Sequence, residues 1–314
     1  MTALGVVTNR KKLDERLADD LRAMLTEVGF GGARWYEASK GSAAKQATEE
    51  AVADGADVVL AVGGDGTVRA CADAVAGSDV ALAVLPAGTA NLFATALSLP
   101  KDAKSVLDAI MAGATRRIDL GNCDGMRFGV MAGSGFDAAI MGRVDDGPKE
   151  RFGSLAYVWA GMREARNQEP TTVLVKVDGE AYYRGPATCV LVGNLGQLKG
   201  GVAVFPDASP TDGLLDVGVV TAGTLREWAE VAVRLLAHRP ATSHNAHMTK
   251  GREIAVTWAP GGSSKEKSRA DKTPFELDGG AKGTRRKLHY TCEPGALRLV
   301  IPVAANAAEA NPVR

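Results

Sequence analysis

Two glycine-rich turns, each at the end of a continuous apolar run, constrain the fold of this chain more than any other feature. The first turn, residues 63–67 (GGDGT), follows the apolar run 58–62, and a helical pattern begins after it. The second turn, residues 86–91 (PAGTAN), follows the apolar run 80–85 and also leads into a helical pattern. Apolar runs without polar alternation, separated by helices, predict a parallel sheet that is covered on both faces.

Both turns are expected at the edge of this sheet where ligands bind, outside the carboxyl ends of the strands. A glycine-rich turn before a helix lets backbone N–H groups approach a polyphosphate, and the helix N-terminus adds positive potential. The turn after a first apolar run, residues 4–8, reaches the same edge and brings the positive charges of Arg10 and Lys11. Considered alone, GGDGT also fits an ordinary tight turn with Asp65 as a helix cap. The chain contains no P-loop signature and no G-x-G-x-x-G fingerprint, which argues against a P-loop ATPase and a dinucleotide dehydrogenase.

The second half of the chain has a different pattern. Its apolar segments contain more Gly, Thr and alternating polar residues, and most are separated by turns, which predicts an antiparallel sandwich. The 314 residues exceed one ordinary domain of about 100–200 residues, so two lobes are expected. We therefore predict an α/β domain with a parallel sheet at residues 1–122 and an antiparallel β-sandwich domain at residues 123–303. Residues 304–314 are expected to fray or to pack back on the first domain.

Within the second domain the apolar pattern predicts both strands and helices. The strands are predicted at residues 127–132, 172–177, 188–193, 215–220, 253–258 and 297–303. Helices are predicted at residues 155–166 and 225–238, and the Ser-, Lys- and Glu-rich segment 261–274 is predicted to be a mobile loop.

Charge and cysteine usage narrow the class of protein. Lys plus Arg and Asp plus Glu both number 37, so nothing indicates a nucleic-acid-binding surface. The four cysteines are far apart in sequence, which fits neither a zinc site nor a disulfide framework and suits a reducing compartment. We find neither an apolar run of about 18 residues nor a cleavable signal, so we expect a cytoplasmic protein without a transmembrane segment. Any contact with lipid would then be peripheral, and a homodimer is left open.

The paired glycine turns resemble those of the diacylglycerol kinase catalytic domain family, which includes bacterial lipid kinases and sphingosine kinases. Further motifs follow in the family's order over nearly the whole chain: Gly133-Ser134-Gly135-Phe136-Asp137, Gly193-Asn194, Gly200-Gly201, Pro206-Asp207-Ala208, Asp212-Gly213-Leu214-Leu215-Asp216 and Asp278-Gly279. The resemblance implies that the first domain, residues 1–122, binds the nucleotide and that the β-sandwich domain, residues 123–303, binds the lipid. It also implies the use of ATP and Mg²⁺.

The resemblance also implies roles for individual residues. It assigns Asp65 to the phosphates of ATP or to their metal ion. The residues expected around the nucleotide are Asn9, Arg10, Lys11, Ser39, Gly63, Gly64, Asp65, Gly66, Thr67, Gly88, Thr89 and Asn91. Among these, Ser39 aligns loosely with the family, and Arg10 and Lys11 stand where the family has a Pro-containing loop.

A structural Mg²⁺ is a further implication of the resemblance. In bacterial members it is held by the carboxylate of the Asp-Gly-Leu turn and by nearby backbone carbonyls. The corresponding groups here are the Asp212 carboxylate and the carbonyls of Ser209 and Leu214. Oxygen ligands of this kind suit Mg²⁺ or Ca²⁺. From the residues alone, Asp212-Gly213 also fits an ordinary hairpin turn.

The chain departs from the family at the residue to which the resemblance assigns the catalytic base. The family's Asp-Gly-Glu, whose Glu takes the proton from the lipid hydroxyl, is Asp278-Gly279-Gly280 here. Phosphoryl transfer still favours a carboxylate near the attacking hydroxyl. Asp278 is the predicted substitute, and Glu276 is a second candidate, because strand alternation would place both on one face.

These observations predict an ATP-dependent lipid kinase that transfers the γ-phosphate to a lipid hydroxyl at a membrane surface. An NAD kinase shares Gly-Gly-Asp-Gly, but the PAGTAN turn and the Asp-Gly-Leu-Leu-Asp turn favour the lipid branch. A catalytically silent relative is the remaining alternative, because Gly280 replaces the expected Glu; it would bind ATP without turnover. The identity of the acceptor lipid stays open.

Overall fold

The computed structural model describes residues 2–9, 15–38, 41–135, 170–197, 203–236, 243–259 and 263–302. The chain divides into two compact units. Unit 1 comprises Met1–Asp119 and Gly295–Arg314, and unit 2 comprises Leu120–Pro294. The helix predicted at residues 155–166 and the tail 304–314 lie outside the described residues.

Unit 1 alternates strands and helices along the chain. In order they are β1 (Leu4–Asn9), α1 (Glu15–Glu27), β2 (Arg34–Ala38), α2 (Gly41–Ala53), β3 (Val58–Gly63), α3 (Asp65–Val75), β4 (Ala81–Pro86), α4 (Leu92–Ala96), α5 (Ala103–Ala112) and β5 (Thr115–Cys123). The last residues of β5 belong to unit 2.

Unit 2 is built mainly of strands. They are β6 (Met126–Phe128), β7 (Met131–Ser134), β8 (Thr171–Val177), β9 (Glu180–Ala187), β10 (Cys189–Gly193), β11 (Leu215–Val220), β12 (Ala246–Gly251), β13 (Glu253–Trp258), β14 (Pro274–Leu277), β15 (Gly280–Thr284) and β16 (Lys287–Val300). Two helices are described among them, α6 (Leu225–Leu236) and α7 (Ser264–Ala270). The end of β16 belongs to unit 1.

The sheet of unit 1 is parallel, as predicted. Strands β2, β1, β3 and β4 are neighbours in that order, and each pair is parallel. Every residue of β3 is buried, since a strand covered on both faces needs an apolar residue at every position. Because the strands are parallel, their carboxyl ends, at Asn9, Gly63 and Pro86, lie at one edge of the sheet.

Helices cover both faces of this sheet. On one face, Leu25 of α1 and Leu107 of α5 share a buried cluster with Leu60 of β3. On the other face α2 lies so close that a Cβ placed on Gly5 would be 2.9 Å from the Cβ of Ala51. Full burial of each leucine contributes about 1.5–3 kcal/mol to stability, so these contacts fix the helices on the sheet.

Unit 2 contains an antiparallel sandwich. One sheet has the order β12-β11-β10-β7-β14-β15, and every pair in it is antiparallel. Facing it, β16, β13, β8 and β9 are paired antiparallel. Their inward residues meet in a core with Trp258, Phe275 and Tyr290 fully buried. The predicted fold class is confirmed.

Helix α6 packs on the outer face of the first of these sheets. Its Trp228 and Val231 are buried against Cys189, Val220 and Ala222. The apolar stripe of α6 is therefore used in packing. None of the helices within the described ranges is long and apolar enough to cross a membrane.

Three predicted segments differ from the structure, and strands β2, β9, β12, β14 and β15 were not predicted. The strand predicted at residues 127–132 is two strands, β6 and β7, and the mobile loop predicted at 261–274 contains α7. The apolar segment at 297–303 ends β16, where Leu299 pairs in parallel with Leu82 of unit 1 rather than with a strand of the sandwich. Strand β2 was not predicted, because at the edge of the sheet only Ala38 is buried and no apolar run marks it.

Candidate functional site

The two glycine turns touch each other directly at the edge of the unit 1 sheet. The N–H of Ala87 donates to the carbonyl of Gly63 at 2.9 Å. A Cβ placed on Gly88 would lie 2.5 Å from the Cα of Gly64, and one placed on Gly64 would lie 3.2 Å from the Cα of Gly88. This backbone-to-backbone approach requires glycine at position 88 and leaves little room for a side chain at position 64, which is a physical reason for the paired motif.

Asn91 closes the second turn. Its side-chain Oδ1 accepts from the N–H of Gly88 at 2.9 Å, and its Nδ2 donates to the carbonyl of Gly88 at 2.8 Å. Asn91 itself has a left-handed backbone with φ of 49°, a conformation that Asn tolerates better than most residues. Its side chain therefore holds the turn in shape, and its contact with a nucleotide stays a prediction.

Asp65 links the first turn to the second. It is the first residue of α3, and its Oδ1 accepts from the N–H of Phe93, at the start of α4, at 3.3 Å. Partial burial raises the pKa of Asp65, while the backbone N–H groups of residues 91–93 lower it. Asp65 therefore places a half-buried carboxylate where both turns meet.

Space for a ligand exists above the start of α3. Gly66 is exposed, and no atom lies within 4 Å of the position that its Cβ would take. Thr89 is also exposed, whereas Thr67 is buried beneath the turn against Gly63. Glycine turns, a helix N-terminus and this open volume fit the phosphates of ATP.

The remaining predicted nucleotide residues divide into two groups. Asn9 ends β1 at the same edge and is half-buried. Arg10, Lys11 and Ser39 lie outside the described residues. Among the described residues of the two glycine turns, Asp65 supplies a carboxylate, a type of oxygen ligand that Mg²⁺ accepts beside phosphate oxygens and water. The structure, over the ranges it describes, contains no group of three or more His, Cys, Asp or Glu side chains that could hold a metal ion.

In unit 2, Asp278 anchors a hairpin turn. Asp278 and Gly279 connect β14 to β15 with φ values of 49° and 74°, the left-handed pair that a two-residue hairpin turn needs. The Asp278 carboxylate accepts the backbone N–H groups of Gly129 at 2.9 Å, Val130 at 2.8 Å and Met131 at 3.1 Å. These bonds explain why the strand is interrupted between β6 and β7.

Glu276 lies close to this turn but is differently placed. Strand β14 ends at Leu277, so the expected strand alternation between Glu276 and Asp278 is wrong. The Oε2 of Glu276 accepts from the N–H of Gly279 at 2.6 Å, and the residue is only 5% exposed. Burial, with a smaller contribution from the charge of Asp278, raises the pKa of Glu276 to about 8.

The position of the missing family Glu has room for a side chain. A Cβ on Gly280 would have only the carbonyl oxygen of Leu277 nearby, at 3.3 Å. Gly280 is also absent from the residues with positive φ. The fold therefore does not require glycine at this position.

The turn predicted to hold a structural Mg²⁺ lies next to the amino group of Lys250 on β12. The Oδ2 of Asp212 lies 3.3 Å from the Nζ of Lys250, and its Oδ1 accepts from the N–H of Leu214 at 3.0 Å. The hydroxyl of Ser209 lies 3.2 Å from that of Thr211. Sequence reasoning missed Lys250, because the only signal for it is its pairing with Asp216 across two strands.

The sequence matches two protein families over consecutive parts of the chain. The diacylglycerol kinase catalytic domain matches residues 4–123. The YegS C-terminal NAD kinase beta sandwich-like domain matches residues 130–301.

Similar curated proteins are named as lipid kinases. The chain is 31% identical to a diacylglycerol kinase of Bacillus subtilis over 68% of this chain and 71% of that protein. It is 35% identical to a YegS-like lipid kinase of Pseudomonas putida over 59% of this chain and 64% of that protein. The chain spans between 58% and 71% of the length of the first three curated relatives that it matches.

Solved structures share the fold. A Bacillus anthracis protein assigned as a diacylglycerol kinase superposes with a TM-score of 0.75 at 21% identity, covering 96% of this chain and 98% of that one. An NAD kinase of Archaeoglobus fulgidus in complex with ATP superposes with a TM-score of 0.53 at 12% identity, covering 98% and 96%. The family matches, the named relatives and the shared fold together show that the chain belongs to the diacylglycerol kinase and YegS-like lipid kinase family.

Proposed function

We propose that the protein is an ATP-dependent kinase that transfers the γ-phosphate to the hydroxyl group of a lipid at a membrane surface in the cytoplasm. The contact between the two glycine turns, with Asp65 bonded across them, carries this proposal. It is an arrangement for binding phosphate groups, in a chain that also has the sandwich domain of a lipid kinase family.

On the nucleotide side, the chain supplies N–H groups and shape. The glycine turns bring backbone close to the phosphates, and the N-terminus of α3 offers positive potential to them. Bound Mg²⁺ would neutralise charge on the phosphate oxygens, with Asp65 as its carboxylate ligand. Asn9, Gly88 and Thr89 complete the proposed nucleotide site together with the residues of the first turn.

On the acceptor side, two carboxylates replace the missing family Glu in this proposal. Asp278 is bonded to three N–H groups, so we assign it the role of orienting the segment that faces the lipid hydroxyl. Glu276, whose pKa is about 8, is the stronger base, and a pKa near the working pH suits proton transfer. Neither has to deprotonate the hydroxyl fully, because phosphoryl transfer depends mainly on positioning and charge neutralisation.

The decisive experiment is transfer of labelled γ-phosphate from ATP, with Mg²⁺, to a panel of lipids in mixed micelles. The panel contains diacylglycerol, phosphatidylglycerol, a sphingoid base, a polyprenol and, as a non-lipid acceptor, NAD. Asp65→Asn is the inactive variant, and Asp108→Asn, which changes an exposed acid on α5, is its matched control.

The expected result is a labelled lipid in the wild type and Asp108→Asn samples and none with Asp65→Asn. Label on NAD alone would assign the protein to the NAD kinase activity that the Archaeoglobus structure carries. ATP binding without label on any acceptor would identify a catalytically silent relative, in line with Gly280.

A further inference from the structure

One lysine lies next to two acidic side chains and a backbone carbonyl where β11 begins in unit 2. Asp207 and Asp212 lie in the segment before β11, and Asp216 is its second residue. The Nζ of Lys250 lies 3.3 Å from the Oδ2 of Asp212 and 3.4 Å from the carbonyl oxygen of Asp207. One ammonium group therefore bridges two points of the same turn.

The strand register places Lys250 at this turn. Lys250 of β12 is directly opposite Asp216 of β11 in the antiparallel pair, the arrangement in which opposite charges on neighbouring strands stabilise each other. Asp216 is 9% exposed, and burial raises its pKa to about 6. The positive charge of Lys250 lowers this pKa, whereas the negative charges of Asp212 and Asp207 raise it further. Lys250 thus contacts the Asp212 carboxylate, is paired with Asp216 across the strands and bonds to the backbone of Asp207.

We propose that the ammonium group of Lys250 is the resident cation of this acidic turn and takes the place that the family resemblance gives to a structural divalent ion. An oxygen cage for Mg²⁺ or Ca²⁺ needs metal–oxygen distances of about 2.1 Å or about 2.3–2.6 Å. Lys250 already contacts two oxygens of the turn, and the Oδ1 of Asp212 is bonded to the N–H of Leu214. A second cation at the same oxygens would be repelled by the ammonium charge. The residues present do not fit a divalent ion with Lys250 in this position.

A consequence is that the turn folds without a divalent metal. If the protein requires Mg²⁺, the ion would then be needed by the bound nucleotide and not by this turn. Removing the charge of Lys250 would leave Asp212 and Asp216 without their cation and would free oxygens that Mg²⁺ could occupy. This inference concerns stability and cation binding, so it is tested without ATP or lipid and can fail independently of the proposed function.

The test combines Mn²⁺ binding, measured by electron paramagnetic resonance, with thermal unfolding in EDTA or in millimolar Mg²⁺. The proteins are nucleotide-free wild type, Asp212→Asn, Lys250→Met and the control Lys176→Met. Lys176 is exposed on β8, and the structure shows it in no ion pair within the described part of the chain.

We expect Asp212→Asn to leave the Mn²⁺ binding of the wild type unchanged. In EDTA we expect the thermal midpoint of Lys250→Met to lie about 2–4 °C below that of Lys176→Met. In Mg²⁺ we expect the midpoint of Lys250→Met to rise until it equals that of Lys176→Met. Wild-type Mn²⁺ binding that Asp212→Asn abolishes would overturn the proposal. So would a Lys250→Met midpoint equal to that of Lys176→Met, or a lowered midpoint that Mg²⁺ does not raise. If Lys250→Met does not fold, the comparison of wild type with Asp212→Asn decides alone.

Discussion

The glycine-turn edge of unit 1 and the Asp278 turn of unit 2 are built in opposite ways. In the first, main chain meets main chain, and the contact between Gly64 and Gly88 leaves no room for side chains. In the second, one side chain, Asp278, bonds to three backbone N–H groups that lie 147–149 residues earlier in the chain. The first site keeps the glycines of the family's paired motif, whereas the second has Gly280 where the resemblance places a Glu.

This contrast shows where a kinase of this type can change. The contact itself tolerates little change, because a Cβ on Gly88 would lie 2.5 Å from the Cα of Gly64, whereas a Cβ on Gly66 would meet no other segment. A turn held by one anchoring carboxylate can lose a neighbouring residue, provided that the anchor remains. The predictions that follow test this difference through stability, in decreasing order of the change expected at one pH or, for Glu276, per pH unit.

The largest effect is expected for Asp278→Ala. Three backbone N–H groups would lose their acceptor, and hydrogen bonds to a charged group contribute about 1.5–3 kcal/mol each. With partial rehydration, we expect a loss of about 3 kcal/mol in the free energy of unfolding, measured by urea denaturation. Asp271→Ala, which removes an exposed partner of Arg286 at 4.0 Å, is the control and should change stability little. If the two variants unfold alike, Asp278 is not an anchor.

Gly88→Ala should have the next largest effect. Its Cβ would fall 2.5 Å from the Cα of Gly64, so one turn must shift, at a cost of about 2 kcal/mol. We expect a lower thermal midpoint and weaker binding of a fluorescent ATP analogue. Gly66→Ala is the control for stability, because no atom lies within 4 Å of its Cβ position; an equal loss in both variants would contradict the turn contact.

Glu276→Gln should change how stability depends on pH. The pKa of Glu276 is about 8 in the folded protein and about 4.3 in the unfolded protein. Between about pH 4.3 and about pH 8 the folded protein therefore binds one proton that the unfolded protein has released. The stability from this proton is fully present below about pH 4.3 and is lost as pH rises through about 8, by up to about 1.4 kcal/mol per pH unit.

Urea denaturation of wild type and Glu276→Gln at pH 5, 7 and 8 checks this. The difference between them should grow in favour of Glu276→Gln as pH rises. The contribution of Asp216 is present in both proteins and cancels. Parallel pH profiles would mean that Glu276 is ionised in the folded protein at pH 5.

Gly280→Glu should affect stability least, by no more than about 0.5 kcal/mol. The added side chain meets only the carbonyl of Leu277 at 3.3 Å. If the protein is a lipid kinase, the phosphate transfer rate should rise about tenfold or more, because a positioned base contributes at least that much. Gly280→Gln, with the same shape and no charge, is the control. A rise in both variants would show that shape rather than basicity is responsible.

The sequence by itself determined the parallel sheet, the antiparallel sandwich and the edge that carries the glycine turns. It could do so because these features depend on local composition. A buried parallel strand such as β3 is apolar at every position, and a backbone-to-backbone contact leaves glycines at Gly64 and Gly88. The paired motif was specific enough to indicate the family that the comparisons then showed.

Only the tertiary structure decided which carboxylates are anchored, buried or paired. Asp278 bonds to Gly129, and Lys250 contacts Asp212, across separations in sequence that no local pattern encodes. Strand alternation placed Glu276 and Asp278 together, but β14 ends one residue before Asp278, which leaves one carboxylate buried and the other bonded to backbone. Burial and long-range contacts set the charge state and role of each acid, and both arise only when distant segments of the chain meet.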